Sequence, residues 1–392
     1  MRIAHLADAH LGFRQFQRLD PEGINQREAD VAAAFRAAVA AVIARAPDLV
    51  VIAGDLFHAV RPTNRSILEA FQQIAALRRA LPRAPVVLIA GNHDTPRSSE
   101  AGSILKLMTS LGVDVVDDEA RRLAYPDLGL SVLAVPHAAL LATPGRRTWT
   151  PEAKARWNVL VTHPEVAGYF PETGESDYGG VRVELDELAG GWHYVALGHY
   201  HVATKVAERA WYSGSLEYTS PNVWGERRLE IDRKVTKGIL LADLERAKVE
   251  RVELPPERQV HDLPWLDAAG MGAAELDAAI QGRLAGIAGG VAGTVTRLVV
   301  ENVPASLAHG LDHAALRVIR AQALHFQLDL RRPVTSRVVG MGAPGTRRPL
   351  PELLADYLGR RPLPADLDRS RFVALGGAYL EAVERETEEA GA

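Results

Sequence analysis

The 392-residue chain contains no cysteine, which removes disulfides, thiolate metal sites and cysteine nucleophiles together. Any metal must therefore sit on oxygen and imidazole. Nothing matches the G-x-x-x-x-G-K-[ST] phosphate loop, so ATP hydrolysis is not expected of this chain itself. No apolar run approaches the length of a signal core or membrane span, and the start, MRIAHLADAH, carries charge within its first ten residues. The expectation is a cytoplasmic protein with no membrane association. Positive charge is not in surplus either: 45 Lys and Arg against 49 Asp and Glu give a formal net charge of -4. A polyanionic partner would have to be met by local arginine clusters or by metal ions.

What is present is an alternation of short apolar runs and helical patterns, which predicts an α/β layer fold. RIAHLAD (2–8), DLVVIAGD (48–55), PVVLIAGNHD (85–94), LSVLAV (130–135), WNVLVTH (157–163) and HYVALGH (193–199) read as strands. Asn25, with Glu28 three residues on, resembles a capping box opening a helix whose Val31, Phe35, Ala38 and Val42 share one stripe. Ile67, Phe71, Ile74 and Leu77 mark a second helix over residues 65–80.

Past about residue 230 the character changes. KGILLADLE closes the first unit, and LPPERQVHDLP has the proline and charge of a linker. Residues 260–340 read as a smaller α/β unit, with a helix near 273–287, a strand in GTVTRLVVENV, a helix around 312–324 and a strand near FQLDLRR. GMGAPGTRRPLP (340–351) is a second linker. Two short amphipathic helices follow, through Leu350, Leu353, Leu354, Tyr357 and Leu358, then Phe372, Leu375, Tyr379 and Val383. The expected domains are 1–250, 260–340 and 350–388.

Every strand of the first half except LSVLAV runs into acidic, amide or histidine residues at its carboxyl end, the edge at which open α/β sheets bind ligands. In order these are Asp8 and His10 (DAH), Asp55 and His58 (GDLFH), Asn92, His93 and Asp94 (GNHD), His163 (TH), and His199 and His201 (GHYH). Alone, each has an ordinary reading as a turn, a cap or a surface pair. Together they suit phosphate-ester hydrolysis, in which an anionic nucleophile must approach an anionic phosphorus. Two divalent ions about 3.5–4 Å apart supply the missing positive charge and lower the pKa of bound water.

Asp55, with two oxygens on a tight Gly-Asp turn, suits a bridge between such ions. Asp8, His10, Asn92, His163, His199 and His201 then complete two mixed shells, a donor set favouring manganese, iron or zinc over magnesium. His93 reads as a non-ligand that stabilises charge or protonates the leaving oxygen, with Asp94 as an orienting partner. His5, His137, His193, His261, His313 and His325 read as structural or surface histidines.

With these blocks complete, residues 1 to about 225 resemble the calcineurin-like metallophosphoesterase superfamily. Within it they resemble the SbcD-type DNA double-strand-break repair nucleases, called meiotic-recombination nucleases in eukaryotes and archaea. DAHLGFRQF, NQREAD, AGDLFHAVRPTNR, GNHDTP and YSGSLEYTSPNVWGE carry that narrower likeness. The resemblance implies a two-sheet sandwich flanked by helices, a smaller α/β capping domain and a C-terminal helical tail. It implies Asp8, His10, Asp55 and His201 around one metal, and Asp55, Asn92, His163 and His199 around the other. His93 would act on the leaving group or transition state, His58 would place the scissile phosphate, and manganese would be the activating ion. The tail would dock on a coiled-coil, SMC-like ATPase of the SbcC type; members of the family are often homodimers, which apolar positions early in the chain would serve, core packing being the equal reading of those positions.

Two loop details depart from the family: its frequent His-Gln is HPE at 163–165, and the Asp often preceding the last strand is His193. DNA would be held by local arginines, with Arg14, Arg18, Arg61 and Arg65 flanking the ligand loops and Arg227 and Arg228 further on; for each, a solvated rim is the competing reading. The leading expectation is a metal-dependent DNA nuclease. The alternatives are a small-molecule or phosphoprotein phosphoesterase of the same superfamily and a non-catalytic scaffold.

Overall fold

The first strands are apolar on both faces because both faces are covered. In Leu49–Ile52, Leu49 and Val51 join the core between two sheets, while Val50 and Ile52 join the core beneath the flanking helices. The computed structural model describes residues 1–96, 102–143, 145–169, 179–333, 350–361, 363 and 367–390.

One six-stranded sheet runs in the order Lys248–Glu253, Gly238–Asp243, Arg2–Leu6, Leu49–Ile52, Val86–Ile89 and Asp114–Val116. Its last four strands are mutually parallel, and Gly238–Asp243 joins Arg2–Leu6 antiparallel. The second sheet runs Thr204–Lys205, Ala210–Tyr212, Tyr194–Leu197, Trp157–Thr162, Leu130–Val135 and Arg121–Tyr125, with its four inner strands parallel. Ile3, Val51, Val87, Val132, Val159 and Ala196 pack between the sheets, so this is the two-layer sandwich the resemblance implied.

The helices Gln26–Arg45 and Asn64–Ala80 cover the outer face of the first sheet through Val31, Phe35, Val42, Ile74 and Leu77. Asn25 caps the first of them, its side chain accepting from the Arg27 N–H at 3.1 Å. The expected reciprocal contact is replaced: Glu28 accepts from Thr63 Oγ1 at 2.9 Å and Arg14 Nε at 2.7 Å, tying the helix to the cap of the next one.

Strands expected over 2–8, 48–55, 85–94 and 193–199 stop at Leu6, Ile52, Ile89 and Leu197. The apolar pattern continues, but the backbone leaves the sheet to enter the ligand loops.

Residues Val260–Leu330 build a separate parallel sheet in which Val295–Glu301 pairs with Val260–Asp262, Leu266–Asp267 and His325–Leu330. Leu276, Ile280, Leu298, Leu316 and Phe326 form its own core beneath the helices Ala273–Ala285 and His313–Gln322. It belongs to one compact unit with the sandwich, Met1–Arg332. Phe16, Tyr218, Val223 and Trp224 pack on Val260, Val295 and Leu324 across the junction.

A buried ionic network backs that junction. Arg27 Nη1 meets Asp30 at 2.9 Å, Arg27 Nη2 meets Glu217 at 3.2 Å, and Arg258 Nη2 meets Asp30 at 3.0 Å.

Residues 333–392 form a second unit. The helices Leu350–Arg360 and Arg369–Ala390 pack on one another, and Arg369 donates to the carbonyls of Gly359 and Arg361 at the end of the first. The second is longer than the short helix expected. Residues 340–349 of the expected second linker lie outside the described residues. No helix among the described residues is long and apolar enough to cross a membrane.

Asp30→Ala should lower unfolding free energy by about 3–5 kcal/mol, because it removes the carboxylate paired with Arg258 and one of the two paired with the buried Arg27. Lys248→Ala, which breaks an exposed pair with Glu250, should cost less than about 1 kcal/mol. Urea denaturation measures both, and equal small effects would show that the buried network contributes nothing.

Candidate active site

The polar residues expected at strand ends converge. Asp8 and His10 follow Arg2–Leu6, Asp55 follows Leu49–Ile52, and Asn92 and His93 follow Val86–Ile89. From the second sheet, His163 follows Trp157–Thr162, and His199 and His201 follow Tyr194–Leu197. All these strands are parallel members of their sheets, so their carboxyl ends open on one edge.

Bringing them together strains the backbone. Four of the nine non-glycine residues with positive φ among the described residues are Asp8 (52°), His10 (49°), Asp55 (52°) and His199 (95°). Such conformations cost about 1–3 kcal/mol each and persist only where the surroundings over-determine them. Here the loops are laced together by Asp8 N–H to the Gly54 carbonyl, His10 N–H to the Asp55 carbonyl and Leu11 N–H to the Leu56 carbonyl, at 2.9–3.0 Å. His199 N–H donates to both oxygens of Asp8, at 3.0 and 3.1 Å, which joins the two sheets' loops.

The glycines of GNH and GHYH are there for close approach. A Cβ on Gly91 would lie 2.6 Å from the Asp55 backbone nitrogen and collide with its carboxylate. On Gly198 it would collide with the Ala53 carbonyl and the His163 ring.

The side chains form three donor groups among the described residues. Asp8, His10 and His201 make the first, Asp55, His163 and His199 the second, and His10 with His58 and His93 a third that shares the His10 ring with the first, the donor atoms of each lying within 4.8 Å of one another. His10 Nε2 faces His201 Nε2 at 3.0 Å; Asn92 Oδ1 lies 3.1 Å from His163 Nε2 and 3.0 Å from His199 Nδ1. Asp55 Oδ2 reaches toward both, 3.2 Å from His163 Nε2 and 3.8 Å from His10 Nε2.

Donors about 2.1 Å from a shared ion stand about 3.0–3.4 Å apart between right-angle and tetrahedral arrangements, so most of these separations match a coordination shell. Two imidazole nitrogens facing at hydrogen-bond distance, beside two buried carboxylates, is a donor set suited to divalent cations. All seven residues expected as ligands are in the cluster, and Asp55 stands between its halves.

Electrostatics agree. Burial holds His10 and His201 well below the usual imidazole range, keeping both neutral, as metal binding requires. Burial opposes protonation of His163 too, but the Asp55 charge and hydrogen bond, aided by Asp8, outweigh it and raise its pKa to about 9. Asp55 is correspondingly held well below the carboxylate range despite burial, chiefly by His163.

His93 and His58 flank the first cluster. Their rings lie 5.1 Å apart and stacked, and each lies 4.8–5.4 Å from the His10 ring. Asp94 does a different job from the orienting one expected. Fully buried, it accepts the N–H groups of Leu56, Phe57 and Gly91 at 3.0–3.2 Å, bracketing the Asp55 and Asn92 loops. Burial and the nearby Asp55 charge raise its pKa to about 7, against those three hydrogen bonds. What orients the His93 ring is the His58 carbonyl, 2.8 Å from its Nδ1.

Five of the six arginines expected on DNA, Arg14, Arg18, Arg65, Arg227 and Arg228, have protein partners. Arg14 pairs with Glu28 at 2.7 Å, and Arg65 with Glu22 at 3.6 Å. Arg18 donates to the carbonyls of Ala321 and Ala323, closing the end of the helix His313–Gln322. Arg61 lines a surface groove with Lys106. Arg227 and Arg228 meet Glu230 and Asp262 at 3.6 and 3.5 Å.

The sequence reading missed Glu165, whose Oε1 lies 3.2 Å from His199 Nε2. It also had no role for Lys237, whose fully buried ammonium contacts the His201 carbonyl at 3.2 Å, Ser215 Oγ at 2.7 Å, and Glu226 and Glu230. These residues, of which Ser215 and Glu226 belong to the YSGSLEYTSPNVWGE stretch, clamp the loop that carries His201.

Residues 1–203, just over half of the chain, match the family model described as calcineurin-like phosphoesterase. The chain belongs to that family. Among curated relatives, this phosphoesterase is similar to proteins named "DNA double-strand break repair protein Mre11". The one from Thermoplasma acidophilum is 26% identical over 284 residues, 66% of this chain and 70% of that protein. The Saccharolobus solfataricus protein is 26% identical over 62% of this chain and 60% of its own length. For Archaeoglobus fulgidus the identity is 28% over 72% of this chain and 66% of that protein. The phosphoesterase thus spans 60–70% of these relatives' lengths.

The raised His163 pKa makes a prediction for the metal-free protein. Its contribution to stability is complete below the unfolded value near 6.5 and is lost as pH rises through about 9. Thermal melts in chelator should therefore fall across pH 6.5–9, and Asp55→Asn should flatten that decline. An unchanged slope in the variant would show that Asp55 is not the partner raising His163.

Proposed function

We propose that this phosphoesterase is a DNA nuclease that cleaves phosphodiester bonds with two divalent ions, manganese being the expected pair, and that it acts in the cytoplasm. The observation that carries the reading is the pair of donor clusters meeting at Asp55 with His58 and His93 alongside. The relatives' names, which speak of DNA double-strand break repair, support DNA as the substrate.

Asp8, His10, Asp55 and His201 would hold one ion, and Asp55, Asn92, His163 and His199 the other. When bound, the ions supply positive charge to the phosphate oxygens and make water available as a nucleophile at neutral pH. The protein's part is to keep His10 and His201 neutral and Asp55 ionised, and to spend no reorganisation on assembling the donors.

His163 Nδ1 donates to the Ala53 carbonyl at 2.7 Å, which directs Nε2 into the cluster. His93 is fixed in the same way, since Nδ1 must donate to the His58 carbonyl. Proton traffic therefore falls to His93 Nε2, and a protonated ring would present that N–H to the departing oxygen. His58, half-buried beside His10 and Phe13, would position the phosphate; burial and the neighbouring His93 lower its pKa to about 4, so it acts as a neutral group.

We further propose that residues 1–250 are the nuclease domain, 260–340 a capping domain, and 350–388 a tail that docks on a coiled-coil, SMC-like ATPase. Exposed Leu350, Leu353, Tyr357, Leu375 and Tyr379 support the last assignment, being apolar side chains on helices that leave them to solvent. Arg61 is the expected DNA contact that keeps its place in the proposal, on the groove beside the His58 loop. A homodimer would draw on exposed Leu68 and Leu107.

Digestion of end-labelled duplex and single-stranded DNA with manganese tests the substrate, with a nitrophenyl phosphodiester as control. His93→Ala and Asp55→Asn should each abolish DNA cleavage, a loss of at least about a hundredfold, while leaving the protein folded. Turnover of the small ester with inert DNA would favour a small-molecule phosphoesterase; full activity in both variants would remove the site assignment. Deleting residues 350–392 should preserve cleavage of the small ester and abolish capture of a coiled-coil ATPase. Retained capture would give those helices another role.

A further inference from the structure

We infer that Glu165 is a positioning residue for the second metal position, fixing the His199 imidazole in the tautomer and orientation that accept a cation. The inference rests on the two-metal reading above and adds a residue to it.

Glu165 Oε1 lies 3.2 Å from His199 Nε2, while Nδ1 of the same ring lies 3.0 Å from Asn92 Oδ1, inside the cluster. An ionised carboxylate only accepts, so Nε2 must carry the proton. The neutral ring then keeps its lone pair on Nδ1, facing the other donors. A carboxylate behind a ligating imidazole sets the tautomer, restrains the ring and raises its basicity.

The geometry gives this contact more weight than a surface pair would have. The His199 side chain is 2% exposed and the Glu165 side chain 19%, so water competes little for the bond. The backbone at His199 is strained, with φ 95°, and its N–H is engaged by Asp8. A ring on such a backbone gains definition from a hold at its far end.

Glu165 is itself fixed. It pairs with Arg182 in the short ladder Glu165–Val166 to Arg182–Val183, and its N–H donates to the Val181 carbonyl at 2.9 Å. Gly180 runs so close that a Cβ there would collide with the Glu165 carboxylate. The charge matters as well as the geometry, since Glu165 adds a third carboxylate, after Asp8 and Asp55, to the surroundings of two cations.

Calorimetric titration of the full-length, metal-stripped protein with manganese tests this directly, with circular dichroism and melting temperature as the fold control. The wild type should take up two ions. Glu165→Ala should weaken one of them about 10–100-fold and leave the other and the melting temperature of the metal-free protein unchanged. Glu165→Gln keeps an acceptor oxygen without the charge and should recover part of the loss.

Two manganese ions bound by Glu165→Ala with wild-type affinities would overturn the inference. So would equal weakening of both ions with a lowered melting temperature, which would mark a structural role. Uptake of fewer than two ions by the wild type would instead sink the two-metal reading, and this inference with it.

Discussion

The constraint on which the molecule depends is the distance between loops. Donors on five strand ends of two sheets must come within about 3–4 Å of one another, the spacing of ligands on one ion. Ordinary β-to-loop geometry does not deliver that. The chain reaches it with left-handed backbone at Asp8, His10, Asp55 and His199, and with Gly91 and Gly198 where a Cβ would strike the neighbouring loop. The strain is offset by hydrogen bonds between loops, with Asp94 alone accepting three N–H groups from two of them. The sandwich core beneath makes that lacing rigid, because Val51, Val87, Val159 and Ala196 fix where each strand ends.

The same closeness determines the electrostatics. Buried imidazoles with no cation to bind would be poor company for one another if protonated, and burial keeps His10, His58 and His201 neutral. The two carboxylates need positive charge, and in the metal-free protein His163 supplies it as a proton. A metal ion entering the second cluster would displace that proton. The site is therefore built around charge that the protein lacks, and His163 holds the place.

The positions of the donors were legible in the sequence because each stands directly after an apolar run, and strand ends in an α/β fold share an edge. What was not legible arises from contacts between segments far apart in the chain. Glu165 reads as an acidic residue near a strand end, and its meaning depends on His199, 34 residues later. Arg18 reads as a basic rim residue, but its guanidinium closes a helix some 300 residues away. Strand lengths were overestimated for a local reason: Ala53 and Ala90 continue the apolar pattern, while the strained residues beyond them have already turned the chain. Asp94 looked like a partner for its neighbour in GNHD, although a carboxylate so deeply buried is better satisfied by several backbone N–H groups than by one ring.

The two halves of the site are anchored differently, and the difference follows from where each segment goes next. Asn92, His163 and Asp55 are held by the sheets and by each other's loops, through Asp94 and the Ala53 carbonyl. His10 is followed by a loop whose Phe16 stacks on His325 at 4.1 Å and whose Arg18 grips the end of a helix in the smaller α/β region. His201 is clamped by Ser215 and Lys237, and the same segment runs on to Val223 and Trp224 against Val260 and Val295 of that region. His10 and His201 of the first donor cluster thus share supports with the smaller α/β region directly, and the second cluster is tied to them through His199, two residues before His201, and through the hydrogen bonds between the Asp55 and His10 loops. A rigid junction between that region and the sandwich is accordingly part of what holds the first cluster, and the ion pairs of Arg27 with Asp30 and Glu217, and of Arg258 with Asp30, back that junction.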